Sequence, residues 1–280
     1  MLQREAENPL QFLTYNPRLV SFARRLHVAA PLKSLEYWLR GPSGGVIHHK
    51  IAGLEVAFAA PDATEFRTLE SCYSDETDFI EVLAKKLRFG GVFHDVGSNV
   101  GQFLIPVAKL VGEHGEVVGF EPHPANHERL LKNIALNRLT NVRVFQLALA
   151  DCAGDTRMYG TRGTATVVAR AAATHPSSRV SIVRAVCGDD LRAEERLPIP
   201  NAVKIDVEGA EFGVLSGLRQ TLASPLCELL CLEIHPRFIP REVSTEMVLS
   251  LVRSFGFNRI DTRFRGTEIH LVAEKEKVGA

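Results

Sequence analysis

From residue 91 onward, short apolar runs alternate with segments in which apolar residues recur every three or four positions. The apolar runs 92–96, 117–120 and 142–149 have the composition of buried strands, and the segments between them have the periodicity of helices. Strands that alternate with helices form right-handed βαβ units around a parallel sheet. This alternation therefore predicts an α/β fold with a doubly wound sheet.

The same alternation continues towards the carboxyl terminus. The remaining predicted elements are strands at 202–205 and 229–234, a helix at 212–222 between them, a last helix that begins at Ser244 or Thr245 and ends at Gly256, and a hairpin of 257–264 with 268–272. Together these elements predict a Rossmann-like, mostly parallel sheet of seven strands with an antiparallel C-terminal hairpin.

Residues 1–87 differ from the rest of the chain. Apolar residues at helical spacing predict one or two amphipathic helices within 17–40, interrupted near Pro31, and short strand-like pieces follow. We therefore expect an N-terminal α/β cap over 1–87, which contacts substrate or a second copy of the chain in a homodimer. The doubly wound domain is expected over 88–280, with an insert at 152–200 that fits the alternation poorly.

Charge and cysteine content narrow the classes of partner. The 33 Lys and Arg residues balance the 33 Asp and Glu residues, so no overall positive field attracts nucleic acid or an anionic membrane. The five cysteines are scattered without a metal-binding spacing, which favours a reducing compartment. No secretory leader is expected in the first residues, and no run of 18 apolar residues occurs. We expect a cytoplasmic protein without a membrane span or a nucleic-acid partner.

A glycine-containing loop, DVGSNVG, connects the first predicted strand of the sheet to the following helix. Gly97 and Gly101 allow a sharp turn, and the helix amino terminus beyond it offers unpaired N–H groups to a ligand. Glu121 ends the next predicted strand, where a carboxylate accepts hydrogen bonds from ribose hydroxyls. Loop and acid together predict a nucleoside site, with a tight turn and a surface acid as the alternative.

Two details weigh against a dinucleotide in this site. The glycines are spaced GxxxG rather than GxGxxG, and the first strand ends in Asp95, which would repel a pyrophosphate. A cationic, phosphate-free ligand fits better. S-adenosylmethionine, which carries a sulfonium and an ammonium on an adenosine, is such a ligand.

A second motif, KIDVEGAE at 204–211, runs from a predicted strand into a helix. With the loop DVGSNVG, the segment FEPHPANHERLLKNIALN and the strand end LEIHP, it resembles the FkbM-type family of S-adenosylmethionine-dependent methyltransferases. The resemblance covers about residues 90–236 and implies a class I methyltransferase domain. Ser98 stands where the family usually has alanine, and Cys187 and Gly188 stand where it often has a Thr-Leu pair.

The resemblance implies a set of cofactor contacts. The glycine loop would shape the methionine pocket, Glu121 would hold the ribose, and Asp151 lies where such folds contact adenine. The implied cofactor-binding residues are Asp95, Gly97, Ser98, Asn99, Gly101, Glu121, Pro122, Asp151 and Asp206.

Methyl transfer to an oxygen requires alignment and a base within reach of the hydroxyl proton. We expect Asp206 beside the transferring methyl and His235 or Glu233 as the base, because these strand ends converge at the crossover of the sheet. The same three side chains could alternatively hold a magnesium-like ion, although no dense carboxylate cluster supports metal dependence and we expect none. Lys204 is expected to be a structural partner of Asp206, and Glu211 a favourable charge in the first turn of a helix.

The predicted activity is methylation of a hydroxyl on a small molecule, sugar or natural-product intermediate; the choice of oxygen comes from the resemblance. An N-methyltransferase, a non-catalytic cofactor-binding protein and a nicotinamide oxidoreductase are the alternatives, and an NPPY-like tetrad typical of nitrogen substrates is absent. The expected walls of the acceptor pocket are Trp38, Tyr73 and Glu76 in the cap and Arg162, Arg170 and Arg184 in the insert.

Overall fold

The structure is a computed structural model that describes residues 37–39, 41–63, 65–67, 69–70, 77–159 and 180–276. Its strands are β1 (Val46–Ile51), β2 (Leu54–Ala59), β3 (Val92–Val96), β4 (Glu116–Phe120), β5 (Val142–Phe145), β6 (Ala148–Ala150), β7 (Gly154–Tyr159), β8 (Val180–Cys187), β9 (Ala202–Ile205), β10 (Leu229–Ile234), β11 (Arg259–Arg265) and β12 (Glu268–Glu274). Its helices are α1 (Thr77–Lys86), α2 (Leu104–Val111), α3 (Pro124–Leu136), α4 (Gly188–Glu194), α5 (Glu211–Gly217), α6 (Arg219–Ala223) and α7 (Thr245–Ser254), with a single 3-10 turn at Ser43–Gly45.

Seven strands form the main sheet in the order β11-β12-β10-β9-β3-β4-β5. The strands β5, β4, β3, β9 and β10 run parallel, and the hairpin of β11 and β12 adds to β10 in the antiparallel sense. From β3 the chain proceeds outward through β4 and β5, and it returns to the other side of β3 with β9. The crossover therefore lies between β3 and β9, where ligands bind in doubly wound sheets. The predicted α/β fold, with its mostly parallel seven-stranded sheet and C-terminal hairpin, is confirmed.

Two neighbouring strands, β9 at the crossover and β10 next to it, are buried along their whole length. Every residue of β9 and of β10 is buried, as expected for parallel strands covered on both faces by helices. Such strands are normally apolar throughout, yet β9 contains Lys204 and β10 contains Glu233, which are 2% and 7% exposed. Because a buried charge requires partners, these two residues point to the functional end of the sheet.

The predicted strand 142–149 is two strands in two different sheets. β5 ends at Phe145, which pairs with Phe120, the last residue of β4. The N–H of Glu121 still donates to the carbonyl of Phe145 at 3.1 Å. Beyond this hydrogen bond, β4 has no further residues that pair with the chain after Phe145. β6 instead joins β8 and β7 in a three-stranded sheet; β7 and β8 lie within the predicted insert, and β6 comes just before it.

The predicted helix 212–222 is also interrupted, at Leu218 between α5 and α6. At the end of α5, Gly217 packs so closely on β6 that an added Cβ would lie 1.8 Å from the carbonyl oxygen of Ala150. Asp189 then accepts hydrogen bonds from the backbone N–H groups of Gln220 (2.6 Å) and Thr221 (2.9 Å). The carboxylate thus caps α6.

The chain divides into two compact units, Met1–His49 with Ala57–Asp75, and Lys50–Val56 with Glu76–Ala280. In the smaller unit the hydroxyl of Tyr37 donates to the carbonyl of Ala60 at 2.7 Å, and its ring meets Phe66 edge-on. The helices predicted within 17–40 lie outside the described residues, apart from a helical stretch at 37–39. Within the described ranges, no helix combines the length and the apolar character needed to cross a membrane.

Candidate active site

The loop after β3 lies tightly against the neighbouring strands. Gly97 has φ of 81°, and a Cβ at this position would lie 1.9 Å from the carbonyl oxygen of Asp206, so only glycine allows this approach. Ser98 is buried, and its hydroxyl donates to the carbonyl of Asp95 at 2.8 Å and accepts from the N–H of Phe120 at 3.1 Å. Gly101, with φ of 97°, then turns the chain into α2. The predicted glycine loop is therefore fixed between the ends of β3, β4 and β9.

Glu121 connects this loop to the end of β4. Its carboxylate is buried and accepts the N–H of Asn99 at 2.8 Å and the N–H of His123 at 2.9 Å. Burial raises the pKa of Glu121 to about 7, although these hydrogen bonds lower it. Pro122 follows in a partly buried position. A carboxylate with this pKa changes its charge in the neutral range.

A buried ammonium group lies between two strand-end carboxylates. Lys204 is paired in register with Asp95, and its Nζ lies 3.4 Å from Asp95 Oδ1 and 3.4 Å from Asp206 Oδ2. It also donates to the carbonyl of Gly97 at 2.9 Å. Burial lowers the pKa of Lys204, but the Asp95 and Asp206 carboxylates raise it by more, so the pKa lies above its usual value. Lys204 is therefore charged throughout the neutral range.

Asp95 remains incompletely satisfied despite this ion pair. The residue is 0% exposed, and neither carboxylate oxygen has a hydrogen-bond partner among the described residues. Burial raises the pKa of Asp95, while the nearby Lys204 lowers it. Buried acceptors without donors are costly in a folded protein, so this position is suited to a ligand that brings donors or positive charge.

A second cluster surrounds the imidazole of His235, which follows β10. Its Nδ1 lies 2.8 Å from Glu211 Oε1, while its Nε2 faces Asp206 Oδ1 at 3.8 Å and Glu233 Oε1 at 3.9 Å. Glu233 Oε1 is also 3.1 Å from Nε2 of His270, the residue opposite it on β12. The two predicted candidates for the base thus lie together beside Asp206.

The carboxylates control the charge of His235. Burial lowers the pKa of His235, but its hydrogen bond to Glu211 and the charge of Asp206 raise the pKa more strongly, to about 10. Burial raises the pKa of Glu233, whereas its hydrogen bond with His270 lowers it, and the net direction is downward. In the free protein at neutral pH, His235 is therefore a cation and Glu233 an anion.

The arrangement as a whole is rich in carboxylates and suited to a cation. Asp206, Glu233 and His235 offer one ligand atom each, within 4.8 Å of one another, so they could hold a metal ion. Two of these groups already have partners, since Glu233 Oε1 bonds His270 and Asp206 Oδ2 faces Lys204. Glu208, beside Asp206, has its pKa raised to about 7 by burial.

The structure brings most of the predicted site residues to one edge of the sheet. Asp151 differs: it is exposed at the end of β6, in the three-stranded sheet. Of the predicted pocket walls, Trp38 is 79% exposed and Arg184 lies exposed on β8, while Tyr73, Glu76, Arg162 and Arg170 lie outside the described residues.

Two residues of the site were missed or underrated from the sequence. Glu211 bonds His235 from 24 positions away, and His270 bonds Glu233 from 37 positions away. The position of Glu211, three residues after Glu208, showed only that it begins a helix. His270 becomes recognisable only once the register of β10 and β12 is known.

Comparison with known proteins gives a family match over much of this region. The family described as "Methyltransferase FkbM domain" matches residues 95–259. The hexuronic acid methyltransferase AglP of Haloferax volcanii is 27% identical over 217 residues, covering 75% of this chain and 84% of the relative. The 31-O-demethyl-FK506 methyltransferase FkbM of Streptomyces tacrolimicus is 28% identical over 275 residues, covering 86% of this chain and 97% of the relative.

Solved structures are more distant. The precorrin-6y C5,15-methyltransferase of Geobacter metallireducens aligns over 70% of this chain and 87% of its own, with 13% identity and a TM-score of 0.43.

Proposed function

Because this chain belongs to the FkbM methyltransferase family, we propose that it transfers a methyl group from S-adenosylmethionine to a hydroxyl of a sugar, natural-product intermediate or other small molecule. The family membership supports the transfer of a methyl group. The choice of oxygen is supported by the names of the two relatives, one a hexuronic acid methyltransferase and the other a 31-O-demethyl-FK506 methyltransferase.

The observation that carries the proposal is the group of strand-end carboxylates beside the glycine loop. Asp95, whose buried carboxylate faces the Lys204 ammonium at 3.4 Å but accepts no hydrogen bond from the described residues, fits the positive charge of the methionine part. Glu121, held by the N–H of Asn99, fits the ribose hydroxyls. The family resemblance supports an adenine contact at Asp151, whose side chain is exposed after β6.

S-adenosylmethionine, when bound, supplies a methyl carbon whose bond to the positively charged sulfur breaks, leaving its electron pair on sulfur, as the acceptor oxygen forms the new carbon–oxygen bond. Asp206, whose side chain is 26% exposed while that of Asp95 is 0% exposed, lies where the cluster opens and would align the reacting groups. The proton of the acceptor hydroxyl would pass to a base of the protein.

Of the two candidate bases, His235 is favoured over Glu233. Glu233 Oε1 already bonds His270, and its pKa is lowered, so it is the weaker base. His235 directs Nε2 towards Asp206, and its high pKa makes it a strong base once its proton has left. A second positive charge beside the same carboxylates lowers the pKa of His235, so cofactor binding would favour the neutral imidazole.

Turnover with labelled S-adenosylmethionine tests this function. The acceptors should include uronic acids, neutral sugars and hydroxylated macrolides, with primary amines as the nitrogen alternative. We expect methyl transfer to a hydroxyl acceptor, undiminished in chelator, and at least a hundredfold loss of kcat in Asp206→Asn and His235→Ala with cofactor affinity retained in the His235 variant. Cofactor binding without transfer to any acceptor would favour a non-catalytic role, and full turnover by both variants would exclude the assigned residues.

A further inference from the structure

Glu211, the first residue of α5, has contacts beyond those expected of an acid in the first turn of a helix. It is 0% exposed, and one oxygen, Oε1, receives both the N–H of Gly209 at 2.8 Å and Nδ1 of His235 at 2.8 Å. The other oxygen, Oε2, has no hydrogen-bond partner among the described residues. A first-turn charge interacts favourably with the helix without being buried, so the burial of Glu211 requires another explanation.

The contact with Glu211 determines which nitrogen of His235 can act on a substrate. A carboxylate only accepts, so Nδ1 must carry the proton in this hydrogen bond, and Nε2 becomes the basic atom whenever the ring is neutral. Nε2 faces Asp206 Oδ1, at the open side of the site. Without Glu211 the ring could adopt the other tautomer or rotate, and the proton acceptor would be lost.

We propose that Glu211 is a positioning residue for methyl transfer, which holds His235 with Nδ1 protonated so that Nε2 receives the proton of the acceptor hydroxyl. The inference rests on the proposed function, because it requires His235 as the base. In the step, the O–H bond of the acceptor breaks and an N–H bond forms at Nε2. The proton on Nδ1 stays in place, and the imidazolium is stabilised by the Glu211 carboxylate.

The double contact of Oε1 makes glutamine a discriminating substitution. In Glu211→Gln the carbonyl oxygen must still face the N–H of Gly209, so it also remains the acceptor for Nδ1. The amide nitrogen takes the position of the unbonded Oε2. This variant removes the charge but keeps the orientation of the ring, whereas Glu211→Met fills a similar volume without any acceptor.

A double-mutant cycle with His235→Ala tests the proposal by activity. At metal sites, loss of the residue that orients a ligating imidazole typically lowers activity by about 10- to 100-fold, and we expect the same range for the partner of His235. We expect Glu211→Met to lower kcat by that factor while cofactor affinity and the KM for the acceptor change by less than about threefold, and Glu211→Gln to retain most of kcat. In the His235→Ala background, Glu211→Met should cause no further loss. Equal losses in both backgrounds would overturn this inference alone, and full turnover by His235→Ala would overturn the proposed base and this inference with it.

Proton NMR of the free protein provides a readout that does not depend on turnover. We expect a strongly downfield Nδ1 proton of His235 that is present in the wild type and in Glu211→Gln and absent in Glu211→Met. If the methionine variant does not fold, the glutamine variant still decides: it should keep this resonance and shift the rising limb of the pH–rate profile to lower pH. Absence of the resonance in the wild type would overturn the inference. The matched control is Asp189→Asn, which replaces another buried carboxylate, the one that caps α6. This variant should leave the resonance unchanged.

Discussion

At the scale of single residues, the site depends on a charged lysine inside a strand that is otherwise apolar. Lys204 lies between Asp95 and Asp206 and bonds the backbone of the glycine loop. A buried ion pair contributes little net stability compared with an apolar core, but breaking one is costly because it leaves an unpaired buried charge. The lysine therefore maintains carboxylates that a cationic ligand requires.

Replacing this lysine should destabilise the whole domain. We expect Lys204→Met to lower the free energy of unfolding by about 3–5 kcal/mol, because Asp95 would be left buried without its cation. Urea unfolding at neutral pH measures the change. The double variant Asp95→Asn/Lys204→Met is the control and should recover part of the loss, whereas a change below about 1 kcal/mol in the single variant would contradict the interpretation.

Glu121 should make cofactor binding depend on pH. Because burial raises the pKa of Glu121 to about 7, the carboxylate that we propose as the acceptor of the ribose hydroxyls is mostly neutral at pH 6 and mostly ionised at pH 8. The affinity for S-adenosylmethionine should rise by about tenfold over that range. Calorimetric titration at both pH values measures it.

Glu208 titrates in the same range and must be separated from Glu121. Glu121→Ala should bind the cofactor more weakly and with little dependence on pH, whereas Glu208→Gln should keep the pH dependence of the wild type. A flat pH profile in Glu208→Gln together with a steep one in Glu121→Ala would show that Glu208 causes the pH dependence of cofactor affinity, and would contradict the role of Glu121.

At the scale of helices and strands, a side chain from α4 organises the start of α6. Asp189 accepts two backbone N–H groups and the hydroxyl of Thr221 at 2.6 Å. None of these three hydrogen bonds involves a strand-end carboxylate. Loss of a helix cap typically costs about 1 kcal/mol, and unpaired buried N–H groups add to this. Asp189→Ala should therefore lower the free energy of unfolding by about 1–3 kcal/mol.

The same variant should leave catalysis unchanged in the folded protein. Chemical denaturation measures the loss of stability, and kcat at a temperature well below the unfolding transition measures catalysis. A large fall in kcat without a loss of stability would show that α6 participates in the site.

Sequence periodicity predicted the parallel strands and most helices, because each of them is determined by its own apolar pattern. It failed where a distant segment decides the boundary. The run 142–149 has one continuous strand-like pattern, but β4 stops pairing at Phe145, so β6 joins another sheet. The helix 212–222 is periodic throughout, but Asp189 and the close packing of Gly217 interrupt it.

At the scale of the whole molecule, the motif residues of the site were predictable from the sequence, but the hydrogen bonds between their side chains were not. Asp95 lies near the end of β3, and Glu121 and Asp206 directly follow β4 and β9, so all three lie where strand ends meet at the crossover of a parallel sheet. The hydrogen bond between His235 and Glu211 depends on the angle of a helix. The one between His270 and Glu233 depends on the register of two strands. No local sequence pattern encodes either feature. The charge state of the site follows from these hydrogen bonds.

The stability of the free protein should fall as the pH rises. Burial raises the pKa of Glu121 from 4.5 to about 7, so the folded state holds this proton more tightly than the unfolded state does. Its contribution is complete below pH 4.5 and is lost as the pH passes 7, by about 3 kcal/mol. Glu208 acts in the same direction. His235 does so from pH 6.5 to about 10, because its raised pKa also reflects tighter proton binding in the folded state.

Urea unfolding between pH 6 and pH 9 measures this decline. Saturating S-adenosylmethionine should reduce it, because a ligand that binds the ionised site stabilises the folded state most where the protons have left. Glu121→Ala should show a shallower decline than the wild type, and Asp189→Asn should show the same decline from a lower starting value. Stability that rises from pH 6 to pH 9 in the free protein would mean that burial does not favour the protonated forms of Glu121 and Glu208.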